Sequence, residues 1–474
     1  MANTGAQKRF RDYTEGPILP QLARFVLPLI ATGVLQLLFN TADIIVVGRW
    51  GGSTPEECET ALAAVGSCGA LITLLINLFI GLSIGAGVTV ANDMGARKYE
   101  DVSRTVHTSV LTALICGVGA TLIGILFAKP LLTLMGTEEV VMAQAVPYMR
   151  AYFCGAIANI LYNYCASMLR STGDTVRPLI FLSAAGVLNV MLNLIMVLVF
   201  HLGAVGVGIA TAASHWLSCA LIIGFMLHTD GPCRLEIAKL HIHGDKLKRL
   251  LAIGIPAGVQ GMLFSISNVL IQSSVNSLGK AVVAGNAAAA NVEGYLYTVQ
   301  NSFYQATLTF VGQNVGAQNY KRVRQCILRC ALSVAVVGFV LGNLIRPFGE
   351  SLLGLYAPEN PAAITAGMKR VNLTFSVYFL LGLMETGSGL LRGLGKSLTS
   401  TVVSLLGSCV LRVVWVYTLF AAMPTMEVLY LSYPISWALT ATAHYTIGLL
   451  CLHGRRKREE QRLSEEQLLA AVEE

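Results

Sequence analysis

Charge is scarce in this chain. Asp, Glu, Lys and Arg make up 12% of its 474 residues, against about 25% in an ordinary soluble domain. Hydrophobic residues make up 54% and gather in blocks of roughly 20, the length that crosses a hydrocarbon core at 1.5 Å per residue. A soluble fold is excluded on that ground, leaving an all-α polytopic membrane protein. Catalytic signatures are missing as well. There is no G-x-S-x-G, no H-E-x-x-H and no phosphate loop, so an enzyme reading has nothing to rest on. The 11 cysteines are scattered, with no C-x-x-C pair and no zinc spacing, which suggests neither a disulfide scaffold nor a metal site. Buried cysteine then acts as a small hydrophobe. The N-terminal stretch "MANTGAQKRFRDYTEGPILP" has no apolar core with a cleavage site and reads as a cytoplasmic lead-in, not a signal peptide.

What the chain does have is twelve long apolar stretches. Helices are expected at about 20–48, 59–93, 104–128, 140–169, 177–200, 205–228, 248–278, 281–312, 324–346, 363–391, 398–421 and 428–453. With the N-terminus inside, most of the 33 lysines and arginines fall in the inner loops and tails, while "STPEECE" and "GTEEVV" place acids outside. The positive-inside bias thus fixes the orientation with both termini cytoplasmic. It also absorbs most of the net charge of +7, so nucleic-acid binding is not implied. The tail "RRKREEQRLSEEQLLAAVEE" reads as a solvated helix with a cap at Ser464, anchoring topology or regulating. No obligate protein partner and no cofactor is implied.

The chain also repeats itself. "MGARKYEDV" at 94–102 returns as "VGAQNYKRV" at 315–323, and "LRSTGDT" at 169–175 returns as "LRGLGKS" at 391–397. Pro28 and Asn40 of the first helix match Pro256 and Asn268 of the seventh. Six helices per copy return the chain to the same side, so the halves are parallel repeats. The expected organisation is an N-terminal segment 1–19, one lobe at 20–228, a cytoplasmic linker at 229–247, a second lobe at 248–453 and a tail at 454–474. Two six-helix bundles across a central cleft suit alternating access.

A few residues stand out against this apolar background. Asp43 lies in the outer part of the first helix, where a charge costs ~2.5–3.5 kcal/mol on insertion scales. It is either an acid tucked against a polar neighbour or a proton or Na⁺ site, since burial favours the protonated carboxyl and neutral oxygens complete a cation shell. Asn189 and Asn193, four apart on the fifth helix, and Thr211 on the sixth are such partners, or else interhelical glue. On the eighth helix Glu293, Tyr297, Asn301 and Tyr304 form one stripe. Gln260, Phe264, Asn268 and Gln272 form a matching stripe on the seventh. These stripes either pack or face a water-filled cavity, where aromatic faces and amides suit amphipathic organic cations. Arg412 lies roughly 21 Å and Glu293 roughly 25 Å from the cytoplasmic ends of their helices, with Glu385 at roughly 9 Å. On depth, Arg412 is expected to pair with Glu293, as a structural or a switching pair within a second-lobe charge network. His241 and His243 form a loop H-x-H that is not expected to hold metal. His215 and His444 read as packing or hydrogen-bonding residues.

Pro28 with Asp43, together with the paired "GARKYEDV"/"GAQNYKRV" and "LRSTGDT"/"LRGLGKS" loops, resembles the MATE multidrug and toxic-compound extrusion transporters, over about residues 15–455. The helix five to six segment "LNVMLNLIMVLVFHLGAVGVGIATAAS" is similar too. The resemblance implies twelve helices in two lobes and efflux driven by inward H⁺ or Na⁺ across a cell membrane, plasma or inner. It assigns Asp43 as the coupling acid, Pro28 as the bending proline of the first helix, and Asn189 and Thr211 as their counterparts on the fifth and sixth helices. Two departures stand out. Many members have Asp where this chain has Asn193, and the residue matching Asp43 in the second repeat is Ile271. The expected function is therefore antiport of amphipathic, cationic organic compounds against H⁺ or Na⁺. The runner-up is a flippase of lipid-linked sugars, which needs several cations along its cavity. A receptor or scaffold predicts no ion-linked transport.

Overall fold

The computed structural model describes residues 11–356 and 360–473, so residues 1–10 of the expected N-terminal segment lie outside it. Among the described residues every regular element is a helix. The helices are α1 (Ile18–Trp50), α2 (Pro55–Gly95), α3 (Tyr99–Leu126), α4 (Ala128–Leu134), α5 (Glu139–Phe153), α6 (Ala156–Ser171), α7 (Val176–Leu194), α8 (Gly203–His228) and α9 (Gly244–Asn276). They continue with α10 (Lys280–Gly316), α11 (Tyr320–Ile345), α12 (Gly349–Tyr356), α13 (Pro361–Thr374), α14 (Phe379–Gly393), α15 (Ser397–Ser404), α16 (Leu411–Trp415) and α17 (Met426–Glu473). Nine helices among the described residues are long and apolar enough to cross a membrane, ten if α13 and α14 count as one bent span. α10 is not among them, because its polar stripe dilutes the apolar run.

Three expectations need correcting. The helix expected at 140–169 is two helices, α5 and α6, broken at Cys154 and Gly155. There a Cβ on Gly155 would lie 2.7 Å from the Cα of Ala212, and the Trp216 indole donates to the Cys154 carbonyl at 3.1 Å, satisfying a group the break sets free. The helix expected at 363–391 is α13 and α14, bent by 52° about a 3₁₀ turn at Phe375–Val377. Finally, α17 runs unbroken through Ser464, so no helix starts there.

The repeat is written into the backbone. Arg97 and Gln318 occupy the same place in the paired loops and both are left-handed, at φ +57° and +56°. Gly173 and Gly395 do the same in the second pair, at φ +89° and +74°. In that pair Asp174 N donates to Leu169 O at 3.0 Å, and Lys396 N to Leu391 O at 2.8 Å, the helix-ending motif in which a left-handed residue lets the next amide reach back. Helices α5 and α6 in the first half answer to α13 and α14 in the second.

By internal contacts the chain forms two compact units. Among the described residues, one holds Arg11 and Asp12 with Ala23–Met94 and Lys98–Ile266; the other holds Tyr13–Leu22, Gly95–Arg97 and the described residues from Ser267 on. The division falls inside α1 and α9, and segment 229–247 lies within the first unit.

In the first unit small residues let helices meet closely, as membrane packing favours. A Cβ on Gly81 of α2 would sit 2.2 Å from the Cα of Gly258 of α9, and one on Gly85 would sit 2.2 Å from the Leu250 carbonyl. At the end of α2, buried Asp93 accepts from Lys246 Nζ (2.9 Å), Thr105 Oγ1 (3.1 Å) and Arg249 Nη1 (3.3 Å). These bonds pin the start of α9 to α2 and α3.

The second unit is built around α10, which packs against α11, α13 and α14 over a core that includes Leu296, Leu353, Phe375, Tyr378 and Trp437. The segment before α1 is part of this unit. The Tyr13 ring stacks on Phe310 at 4.1 Å, and its amide donates to Gln313 Oε1 at 2.9 Å. Arg322 donates to the carbonyls of Tyr13, Glu15 and Gly16 at 3.0, 2.8 and 2.7 Å.

Candidate functional site

The first unit brings Asp43 and the three residues expected around it into one hydrogen-bonded chain. Asn193 Nδ2 donates to the Asp43 carboxylate and also to Asn189 Oδ1 at 3.2 Å. Asn189 Nδ2 in turn donates to Thr211 Oγ1 at 3.4 Å. The sequence sets this up locally. Asn189 and Asn193 are one helical turn apart on α7, and Gly186, one turn earlier, has no side chain. A Cβ there would lie 1.7 Å from Cε2 of Phe39, so the Phe39 ring occupies the space left by the missing side chain. Asp43 follows Phe39 by one turn of α1 and reaches the same face.

Both asparagines are buried. Among the described residues no Lys or Arg pairs with Asp43, and Asn193 Oδ1 has no hydrogen-bond partner. The site therefore offers a carboxylate, a hydroxyl and one unused amide oxygen, which are oxygen ligands fit for a proton or a hard monovalent cation. Sequence reasoning missed Tyr148 and Tyr152 of α5, which are within electrostatic reach of Asp43. It also missed Asn159, placed 3.4 Å from His215 Nε2. Tyrosines on an apolar helix carry no spacing signal.

The expected second-lobe network of Glu293, Glu385 and Arg412 is not joined by direct ion pairs, although Arg412 is within electrostatic reach of Glu293. Glu293 is paired with Arg370 of α13, not with Arg412. Arg370 also donates to Asn286. That residue accepts from Tyr430 at 3.0 Å and donates to Gln272 at 3.1 Å. Depth along separate helices misjudged the pairing because the bend at Phe375–Val377 brings α13 onto α10. Arg370 itself was legible in one respect: Lys369 and Arg370 are cations at the expected outer end of a helix, against the positive-inside trend. Arg412 instead donates through Nε to Ser436 Oγ at 2.9 Å and stacks over Tyr433 at 4.3 Å. Glu385 is within reach of the Arg392 charge, and Arg392 donates to the Tyr304 hydroxyl.

The cavity residues divide. Gln260 and Tyr304 are buried, with Tyr304 anchored by Arg392 and not presenting an open face. Phe264 and Asn301 are half-buried, whereas Asn268 and Tyr297 are exposed. Pro28 lies inside α1, and its carbonyl accepts from Thr32 Oγ1 at 2.7 Å. His241 and His243 meet edge to face at 5.1 Å, and no metal-binding cluster is present among the described residues. His444 is bonded to the carbonyls of Met384 and Ser400, both at 3.2 Å.

Comparison with known proteins gives these features a family. The MatE family model matches residues 28–195 and 256–418, one stretch in each repeat. The chain is 28% identical over 391 residues to the probable multidrug resistance protein YoeA of Bacillus subtilis (strain 168), covering 81% of this chain and 83% of that one. It is 20% identical over 405 residues to the multidrug export protein MepA of Staphylococcus aureus (strain NCTC 8325 / PS 47), covering 85% and 88%. A solved structure described as the outward-facing conformation of a multidrug resistance MATE family transporter of the MOP superfamily superposes with a TM-score of 0.87. It is 21% identical and covers 96% of this chain and 100% of that one. This chain belongs to the MatE family of transporters.

Proposed function

We propose that the protein is a secondary antiporter of the cell membrane that exports amphipathic, cationic organic compounds in exchange for H⁺ or Na⁺. Twelve spans with both termini cytoplasmic carry the transport path, and Asp43 is the coupling acid. The observation that carries this reading is the Asp43–Asn193–Asn189–Thr211 chain, a carboxylate without a cationic partner at membrane depth and beside an unused amide oxygen. The relatives' descriptions as multidrug resistance and multidrug export proteins support the substrate class. Two related structures described as MATE in a bent and in a straight conformation support a cycle with two shapes.

In the cycle, an ion from outside neutralises Asp43 and removes the reason for Asn193 to donate to it. α1 then repacks about Pro28, where the ring removes one backbone hydrogen bond, and the drug is released outward. The aromatic and amide faces of Asn268, Tyr297 and Asn301 in the second unit hold the substrate. One charge moving down ~150 mV releases ~3.5 kcal/mol, enough for about a 300-fold gradient of a neutral substrate.

The flippase reading keeps one observation in its favour, the buried arginines Arg370, Arg392 and Arg412 of the second unit. Glu293 neutralises the first of them. The test is dye movement in proteoliposomes under an imposed proton or Na⁺ gradient, for the native protein and Asp43→Asn. Gradient-driven movement of a cationic dye that disappears in Asp43→Asn is expected, and the effective gradient names the ion. Absence of movement under both gradients with folded protein, alongside scrambling of a labelled lipid, would favour the flippase.

A further inference from the structure

The second unit has a cavity at the place where the first unit has Asp43, and its charge is of the opposite sign. Ile271, the repeat counterpart of Asp43, lines a cavity of about 250 Å³ together with Ser273, Ser274 and Ser277 of α9, Arg412 of α16 and Tyr417. Arg412 is only 7% exposed. Its guanidinium is held by Ser436 and by the faces of Tyr433 and Trp437, at 4.3 and 5.9 Å. Among the described residues no carboxylate forms a salt bridge with it; Glu293 is within electrostatic reach but is paired directly with Arg370. Aromatic faces offset part of the cost of burying a cation, but an intramembrane arginine with no direct ion pair is a functional position by default.

Two further features fit a site. Ser273 is exposed and lines the same cavity as Arg412, so its hydroxyl is a second donor available to a head group there. The backbone is also special, since Arg412 sits in a five-residue α stretch between π-helical segments Leu405–Val410 and Val416–Phe420. The second of these recurs in the other half as Ile195–Val199, beginning two residues after Asn193 and at the spacing of the paired loops. π turns concentrate at functional positions. The volume is below the roughly 300–1,000 Å³ of a drug-sized pocket, so it suits a head group and not a whole drug.

We propose that this cavity binds the anionic head group of an amphiphile, a carboxylate, sulfonate or phosphate, through Arg412 and Ser273. The proposal does not rest on ion-coupled efflux and stands or falls separately from it. The site gives the protein a place for zwitterionic or anionic amphiphiles alongside cations.

The test uses the full-length protein in a non-ionic detergent, with 11-(dansylamino)undecanoic acid as probe and its methyl ester as control, read by tryptophan-sensitised dansyl fluorescence. Saturable binding of the acid is expected, weakened about tenfold or more in Arg412→Gln, as loss of a charge-assisted hydrogen bond implies. Because Arg412 also packs on Tyr433, a second variant, Ser273→Asp, puts a repelling carboxylate at an exposed position. It is expected to weaken the acid similarly and to leave the ester, which carries no charge, unchanged. Titration with phosphatidylglycerol then names the source. Competition with the acid assigns a lipid head group, and no competition assigns a soluble amphiphile. Equal binding of acid and ester, or equal affinity of the acid for native protein and Ser273→Asp, would overturn the proposal.

Discussion

Arg370 is the residue whose removal tests the second unit most directly. It is buried, paired with Glu293, bonded to Asn286 and placed over the rings of Tyr430 and Tyr433, both at 5.7 Å. Removing one partner of a buried pair strands the other charge and costs about 3–5 kcal/mol, whereas replacing both is often nearly neutral. Arg370→Met is therefore expected to lower the thermal unfolding midpoint of the purified protein sharply, and Arg370→Met with Glu293→Gln to recover most of the loss. Additive losses in the double variant would mean that the pair is not what Arg370 is for. At this scale the sequence was informative wherever polar residues are local partners. Asn189 and Asn193 share a face by spacing alone, and Asp43 stands out by being charged in an apolar run. It was uninformative for Glu293, because its partner is chosen by a bend in α13–α14 that no spacing encodes.

Helices, as elements, carry the precision of the Asp43 site. α1 and α7 meet where Phe39 lies over Gly186, and that contact sets the height at which Asp43 faces Asn193. Gly186→Ala would push on the Phe39 ring, and overpacking of this kind costs about 1–3 kcal/mol. The expected outcome is a folded protein with gradient-driven dye efflux reduced about tenfold or more, restored in part by Phe39→Leu in the same chain. Unchanged efflux in Gly186→Ala would show that the α1–α7 contact does not position the acid. Element positions were readable from apolar length because the bilayer sets that length. The break at Cys154 and Gly155, the bend at Phe375–Val377 and the π turns were not readable, since each depends on what a neighbouring helix offers, such as the Trp216 indole at the Cys154 carbonyl.

For the whole molecule, the repeat was legible because its loops need unusual backbone. Arg97 and Gln318 sit at matching left-handed positions, and such positions keep their surroundings recognisable when the apolar helices between them have drifted. Orientation rests on lysine and arginine placement and has a direct check. In a cysteine-free background, Ser53→Cys is expected to react with a membrane-impermeant maleimide in intact cells, and Asp230→Cys only in everted vesicles. The reverse pattern would invert the topology.

The docking of Tyr13 has a consequence for biogenesis. Tyr13 contacts Gln313, 300 residues later in the chain, and its carbonyl is held by Arg322. At a synthesis rate of about 5–20 residues per second, the segment emerges about 15–60 s before its seat exists. During that wait the first turns of α1 must sit in the membrane without their final neighbours, so the second repeat closes around a strand of chain made first. Capture of the N-terminal segment is then a late step that follows the synthesis of α10 and the start of α11, and a bulky fusion placed just before Tyr13 would obstruct that step and leave the insertion of the early helices intact.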